Sequence, residues 1–314
     1  MKILVTGGAG FIGSNFIVYM LEKYPAYRIV NLDNLTYAGN LENLKSVKQN
    51  PNYTFIKGDI CDKEIVTKAM RECDLVVHFA AESHVDRSIN DPDAFIKTNV
   101  LGTGILLGVA RELNIKKFHH ISTDEVFGTL PLENKNEKFN EETPYSPRSP
   151  YSASKASADH LVRAYIETYN FPATISNCTN NYGPRQFPEK IIPLFIKNAL
   201  ENKPLPIYGQ GQAVRDYLYV EDHCKAIDLI IHKGKIGETY CIGGDSEKNG
   251  VEIADTILEL LEKPKTLKIF VEDRKGHDMR YGMDHAKITR ELGWTPSVTF
   301  AEGIKKTIEW YKIN

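Results

Sequence analysis

The chain has 314 residues, 42% hydrophobic and 25% charged, which is ordinary globular usage with length enough for a large core. A formal net charge of −2 gives no electrostatic case for nucleic acid or an anionic membrane as partner. Cys61, Cys73, Cys178, Cys224 and Cys241 are odd in number and lack a C-x-x-C spacing, so they read as buried thiols rather than a disulfide framework or a metal site. The longest apolar runs, such as Ile105 to Ala110, are short for a bilayer span, and a strand pattern starts directly after Met1. A cytoplasmic protein without a signal peptide is therefore expected.

The opening KILVTGGAGFIGS is an apolar strand, a glycine-rich turn and the start of a helix, with Gly7, Gly10 and Gly13 in a G-x-x-G-x-x-G spacing. Glycines let the backbone turn tightly and approach a pyrophosphate, whose charge rests on the helix N-terminus. The next strand, YRIVNLD, ends in Asp33, twenty residues past Gly13, where an acid accepts hydrogen bonds from ribose hydroxyls and repels a ribose phosphate. NAD is favoured over NADP. The runs YTFIKGDI, DLVVHFAA and KFHHIST then alternate with amphipathic stretches, KEIVTKAMREC and Asp93 to Leu113. That order predicts an α/β fold, a Rossmann-like doubly wound parallel sheet with helices on both faces. Ligands bind such sheets beyond the carboxyl ends of the strands, so Asp59 and Ile60, Ala80 to Ser83, and Ser122 to Glu125 should line one crevice. Asp59 taken alone reads equally as a helix cap. His119 and His120 are strand neighbours facing opposite sides, poorly placed as joint metal ligands, and no metal is expected.

The stretch ISTDEVFG carries adjacent carboxyls, Asp124 and Glu125, and PYSASK places Tyr151 and Lys155 four apart, on one face of a helix. A free phenol titrates near about 10, so a phenolate base near neutral pH needs roughly three units of stabilisation, about 4 kcal/mol. A fixed ammonium in a partly dry site, with a cofactor cation nearby, supplies much of that. The same spacing also occurs by chance on helix surfaces. After a helix to Tyr169 and a sixth strand, PATISNC, the texture turns polar and broken from Asn177. Residues 1–176 are read as the NAD-binding domain and 177–314 as a smaller, partly interleaved substrate lobe. The loops of that lobe hold NCTNNYGPRQFPEK, VRDYLYVEDH and EDRKGHDMRYG, whose Arg185, Lys190, Arg215, Arg274, His277 and Arg280 suit a phosphate-bearing substrate or serve as surface ion-pair partners.

Together TGGAGFIGS, DNLTYAGNLENL, AAESHVDRSI, STDEVFG, YSASK, NCTNNYGPRQFPEK, RDYLYVEDH and EDRKGHDMRYG resemble the extended short-chain dehydrogenases, and within them the family of dTDP-glucose 4,6-dehydratases, over essentially the whole chain. The acid pair and DNLTYAGNLENL are the narrower signals; in epimerases of this fold the acid pair's place is normally not two carboxyls. The resemblance implies a lyase in which Tyr151 takes the proton of the fourth-carbon hydroxyl as hydride passes to NAD, with Lys155 holding phenolate and ribose and Thr123 bonding the same hydroxyl. Glu125 then removes the fifth-carbon proton, Asp124 protonates the departing sixth-carbon hydroxyl, and hydride returns to the sixth carbon, so that NAD stays bound. Carried over by motif, the turn at Gly7, Gly10 and Gly13, Phe11, Ile12, Asp33, Asn34, Asp59, Ile60, Ala80, Ser83, Thr98, Asn181, Tyr151 and Lys155 contact NAD. Ser83, Thr123, Asn180, Lys190, Ile191, Pro206, Ile207, Tyr208, Arg215, Asp273, Arg274 and His277 surround the sugar nucleotide. A homodimer through the segments from Asp93 and from Tyr151 is also implied. The chain departs from the family pattern at Phe127, at Asn249–Gly250 and at Lys275, and is shorter than typical members. The alternatives are another NAD-dependent nucleotide-sugar epimerase or dehydratase, or a non-catalytic dinucleotide-sensing regulator, which would have no evident need of Thr123, Asp124, Glu125, Tyr151 and Lys155 together.

Overall fold

The computed structural model describes residues 1–273 and 277–314. Strands β1 (Lys2–Thr6), β2 (Arg28–Asp33), β3 (Tyr53–Lys57), β4 (Leu75–His78), β5 (Lys117–Thr123) and β6 (Ala173–Cys178) are joined from far along the chain by β10 (Thr239–Ile242). They form a seven-stranded sheet in the order β10-β6-β5-β4-β1-β2-β3, and every neighbouring pair is parallel. The expected doubly wound sheet is therefore present.

Along β1 the side chains alternate as a pleated strand demands: Ile3 and Val5 enter one apolar layer and Leu4 the other. The first layer takes Phe16, Ile17 and Met20 from the helix Phe11–Lys23, and Cys224, Ile227 and Ile231 from the helix Val220–Lys233. The second takes Val66 and Met70 from Lys63–Met70, Leu106 and Leu107 from Thr103–Glu112, and Val162 from Pro150–Tyr169. Each such side chain removed from water contributes about 1.5–3 kcal/mol. Because β2 and β4 flank β1, the winding reverses there, and a crevice opens above the strand ends.

The segment expected as one helix from Asp93 to Leu113 is helical from Pro92 to Glu112, but Ile96–Gly102 within it is π-helical. An 18-residue window of this 21-residue helix has a mean hydropathy of 1.2, enough by length and composition to cross a membrane. Its inner face, Leu106, Leu107, Val109 and Ala110, packs instead on the sheet.

The rest of the chain adds β7 (Asn180–Tyr182), β8 (Leu205–Tyr208), β9 (Val214–Tyr219), β11 (Glu247–Asn249) and β12 (Lys268–Val271). In one small sheet β9 pairs parallel with β7 and antiparallel with β11, and in another β8 pairs parallel with β12. A separate core of Tyr182, Ile192, Phe195, Ile207, Tyr217, Ile253, Ile257 and Ile304 lies among them. VRDYLYVEDH, expected as a loop, is β9 running straight into the helix from Val220. Alternation did not mark it because Asp216, Tyr217, Leu218 and Tyr219 are all buried. A buried acid is tolerated there because Asp216 accepts bonds from the Gly244 and Ser246 amides at 2.9 and 2.8 Å.

Candidate active site

A crevice of about 310 Å³ runs over the carboxyl ends of β1, β2, β4 and β5 and is lined by every residue expected to contact the cofactor. Gly7 adopts φ +71, and a Cβ there would meet the Ala80 backbone nitrogen at 2.6 Å, so only glycine lets the turn pass the end of β4. The helix that follows starts at Phe11 and has no capping side chain, its N-cap being Gly10. Its first-turn N–H groups thus stay available for a pyrophosphate. Asp33 accepts from the Ala9 and Leu35 amides, both at 2.8 Å. Burial pushes its carboxyl up, and the residue lines the crevice where ribose hydroxyls would lie, with acceptor capacity to spare. Asn34 donates to Asp59 at 3.3 Å across the same edge. These groups fit a dinucleotide with a free ribose.

Deeper in, β5 ends at Thr123 and passes into the short 3-10 turn Asp124–Phe127, capped by Thr123 Oγ1 accepting from the Glu125 amide at 3.3 Å. Tyr151 and Lys155 come from the helix that starts at Pro150, fixed by a reciprocal cap between Ser149 and Ser152. The Tyr151 phenol is hydrogen-bonded to Thr123, yet burial and then the charge of Glu125 hold its pKa well above the ordinary value. Lys155 Nζ donates to the Ile121 carbonyl at 2.7 Å, and burial pushes its ammonium pKa down. The buried Asp124 is raised to about 8 by burial, with the neighbouring Glu125 charge second. Thr123 Oγ1 donates to one Asp124 oxygen at 3.1 Å. Thr179 Oγ1 lies 3.1 Å from the other, but only 2.7 Å from the Asp216 carbonyl. A hydroxyl has one proton; given to the carbonyl, it leaves a lone pair toward Asp124, which suits a protonated acid. Of two adjacent carboxyls, one is thus sealed in and kept neutral.

Glu125 lines both this crevice and a second one of about 220 Å³, as do Asn180, Asn181, Gln186, Glu189 and Lys190. The second crevice brings in Ile191, Pro206, Ile207, Tyr208, Arg215 and His277 as expected. The Asn180 amide oxygen is buried with no hydrogen-bond partner among the described residues, an acceptor left for a ligand. Lys190 Nζ donates to the Ser83 carbonyl at 3.1 Å, linking the two crevices. Arg215 sits on β9 with its guanidinium 4.1 Å from the Tyr281 ring centre and bonded to the Asp278 carbonyl. Asp273 lines neither crevice; its carboxylate pairs at 2.7 Å with His277, which lines the second. Arg274 and Lys275 lie outside the described residues.

Two arginines read as either phosphate ligands or ion-pair partners line neither crevice. Arg280 is 1% exposed, is paired with Glu247 at 2.7 Å and donates to the carbonyls of Asn134, Lys135 and Glu137. Arg185 donates to Asn15 at 2.7 Å. A guanidinium has five N–H donors, so Arg280 satisfies a carboxylate and three loop carbonyls at once. Sequence reasoning also missed Asn99, whose amide bonds both backbone groups of Glu82 and Ser154 Oγ. It thereby pins the loop after β4 to the helix of Tyr151; an Asn inside an apolar helix was the only signal available.

The reversed parallel sheet, the uncapped helix after a glycine turn, the ribose-facing acid and the Tyr151–Lys155 pair define an NAD-dependent fold of the extended short-chain dehydrogenase type. The family model described as GDP-mannose 4,6 dehydratase matches residues 4–307. A dTDP-glucose 4,6-dehydratase of Salmonella typhimurium is 52% identical, the match covering 100% of this chain and 93% of the relative. The solved structure of a dTDP-glucose 4,6-dehydratase from Streptomyces venezuelae with NAD bound is similar at 46% identity and a TM-score of 0.97, covering 100% of this chain and 98% of that one. A UDP-glucuronic acid 4-epimerase from Bacillus cereus, solved with NAD, shares the fold at 31% identity and a TM-score of 0.94, with 100% and 99% covered. The chain belongs to the dTDP-glucose 4,6-dehydratase family.

Proposed function

We propose that this protein converts dTDP-glucose to dTDP-4-keto-6-deoxyglucose and water. The observation that carries the reading is the acid pair beside Tyr151, with Asp124 sealed and raised to about 8 and Glu125 at the junction of the two crevices. The proton on the fifth carbon of glucose is not acidic until the fourth carbon is a ketone. Tyr151, bonded to Thr123, takes the fourth-carbon hydroxyl proton, and Lys155 favours the phenolate. Bound along the first crevice, NAD supplies the hydride acceptor for that oxidation and the hydride donor for the later reduction at the sixth carbon. Glu125, open to both crevices, removes the fifth-carbon proton. Asp124, protonated, hands its proton to the leaving sixth-carbon hydroxyl. Burial and the neighbouring Glu125 charge push the Asp124 carboxyl up to about 8, and raising one acid of a pair divides the roles of base and acid in this way. An epimerase needs the first step but not this division.

Residues 1–176 are assigned to NAD and 177–314 to the sugar nucleotide, with Asn180, Lys190 and Arg215 toward its diphosphate. A homodimer is assigned to the face carrying Ile96 and Leu101, exposed at 56% and 54%, together with the helix from Tyr151. The free cysteines suit a reducing, cytoplasmic setting. The test is to incubate the purified protein with dTDP-glucose and no added NAD, with UDP-glucose and GDP-mannose in parallel, and follow each mass. Loss of one water from dTDP-glucose alone is expected. No mass change, with or without NAD, would overturn the reading, and water loss from another nucleotide would replace the substrate.

A further inference from the structure

We infer that Asp159 is the counter-charge that keeps Lys155 an ammonium ion, and so is a positioning residue for the proton transfer at Tyr151; this rests on the role given to Lys155 above. Lys155 is 5% exposed, and its Nζ donates to the Ile121 carbonyl. A carbonyl satisfies one donor but offers no formal charge, and a lysine so buried tends to shed its proton. Asp159 lies one helical turn further along the same face and is fully buried. It accepts from Ser122 Oγ and the Tyr145 hydroxyl, both at 2.8 Å, and faces His120 Nε2 at 3.1 Å. Lysine and aspartate thus grip successive residues of β5, one the carbonyl of Ile121 and the other the hydroxyl of Ser122.

The groups around the pair leave Asp159 as the charge that matters. His78 on β4 and His120 on β5 are pushed down by burial and are neutral imidazoles near pH 7. Cys178 on β6 is pushed up to about 12 by burial and stays a thiol. Tyr145, from the loop before the helix, is also raised by burial and stays a phenol. Asn177 on β6 is uncharged and lies 3.4 Å from Asp159. Arg163 on the same helix is one link away, bonded to the Tyr145 hydroxyl at 2.9 Å. Asp124 holds its proton to about 8, and Glu125 faces Tyr151. Asp159 is different: although burial opposes its charge, His120, Lys155 and Ser122 hold its carboxyl below the ordinary range. The motif is therefore Tyr151, Lys155 and Asp159, at four-residue steps along one helix face.

The test uses the NAD-bound protein with lysine side chains isotopically labelled next to Nζ, the Lys155 signal being assigned by its loss in Lys155→Arg. In Asp159→Asn, which keeps the shape and an acceptor but removes the charge, the NMR midpoint of Lys155 should fall by about one to two units. The pH dependence of the first half-reaction, the transient reduction of bound NAD by dTDP-glucose, should move the same way, while KM changes by less than about threefold. Ser122→Ala removes one bond to Asp159 but not its charge, and should leave the midpoint in place. Should the Asn variant fail to fold, Asp159→Ser, which leaves room for water, takes its place. An unchanged Lys155 midpoint in the Asp159 variant, or an equal fall in Ser122→Ala, would overturn the inference. The NMR titration needs no substrate, so absence of dehydration would sink the proposed function and leave this result readable.

Discussion

Replacing Asp124 with Asn should stabilise the protein, by an amount that grows with pH. Asp124 is 2% exposed and raised to about 8 by burial and by Glu125, whereas in the unfolded chain an Asp titrates near about 3.9. The folded pKa lies above the unfolded one, so between the two the folded state binds an extra proton. Stability therefore falls as pH rises through that window, by roughly 1.4 kcal/mol per unit. Asn has the shape of the protonated acid: its amide can donate to Thr179 Oγ1 and its carbonyl can accept from Thr123 Oγ1, but it has no proton to lose. Variant and parent should match near about pH 4, and the variant should lead by about 2 to 4 kcal/mol near neutrality. At about 2 °C per kcal/mol for a chain of this length, the melting temperature rises by about 4 to 8 °C. Calorimetric or fluorescence melts of both NAD-bound proteins across pH measure this. A constant offset at every pH, or a loss near neutrality, would refute the protonated Asp124 on which the division of roles rests.

Tyr151→Phe should abolish reduction of bound NAD by dTDP-glucose, seen in near-ultraviolet absorbance, because it removes the phenol bonded to Thr123 that takes the proton. Glu125→Gln should still reduce NAD transiently while product formation falls by roughly 10² to 10⁴; unchanged turnover would remove Glu125 from the elimination step. Parent turnover should decline above about pH 8 as Asp124 ionises, and a rate flat through that range would contradict an acid role. Arg280→Met leaves Glu247 and three carbonyls without their partner, a loss of about 3 to 5 kcal/mol for a broken buried pair. Thermal melts check it, and a drop under about 2 °C would show that water substitutes for the guanidinium.

The cofactor half was legible because its signals are local. A strand, a glycine turn, a helix and an acid at a fixed spacing sit within residues 2–33, and parallel pairing in register then carries their ends to one edge. The substrate half was less so. Arg215 and Arg280 looked alike as basic residues in polar, broken sequence, yet one lines the second crevice and the other is buried beneath a loop. What separates them is the partner across the fold, Tyr281 for the first and Glu247 for the second, and no spacing within either segment encodes that. Likewise β9 hid because both its faces are covered, which erases the alternation that marks a half-buried strand.

Non-local contacts of this kind also decide what the acid pair can do. Adjacent in sequence, Asp124 and Glu125 are nearly alike in ionisation until the chain folds. The turn that follows β5 sends one carboxyl inward, against Thr179, whose hydroxyl also bonds the Asp216 carbonyl of β9, and the other to the junction of the crevices. The substrate-side sheet thus reaches back to fix the proton on an acid rooted in the cofactor-side sheet. Dehydration draws on both halves of the chain for that reason: Tyr151, Lys155 and the acid pair stand on the cofactor side, whereas Thr179, which bonds both Asp124 and the Asp216 carbonyl of β9, ties the acid to the substrate side.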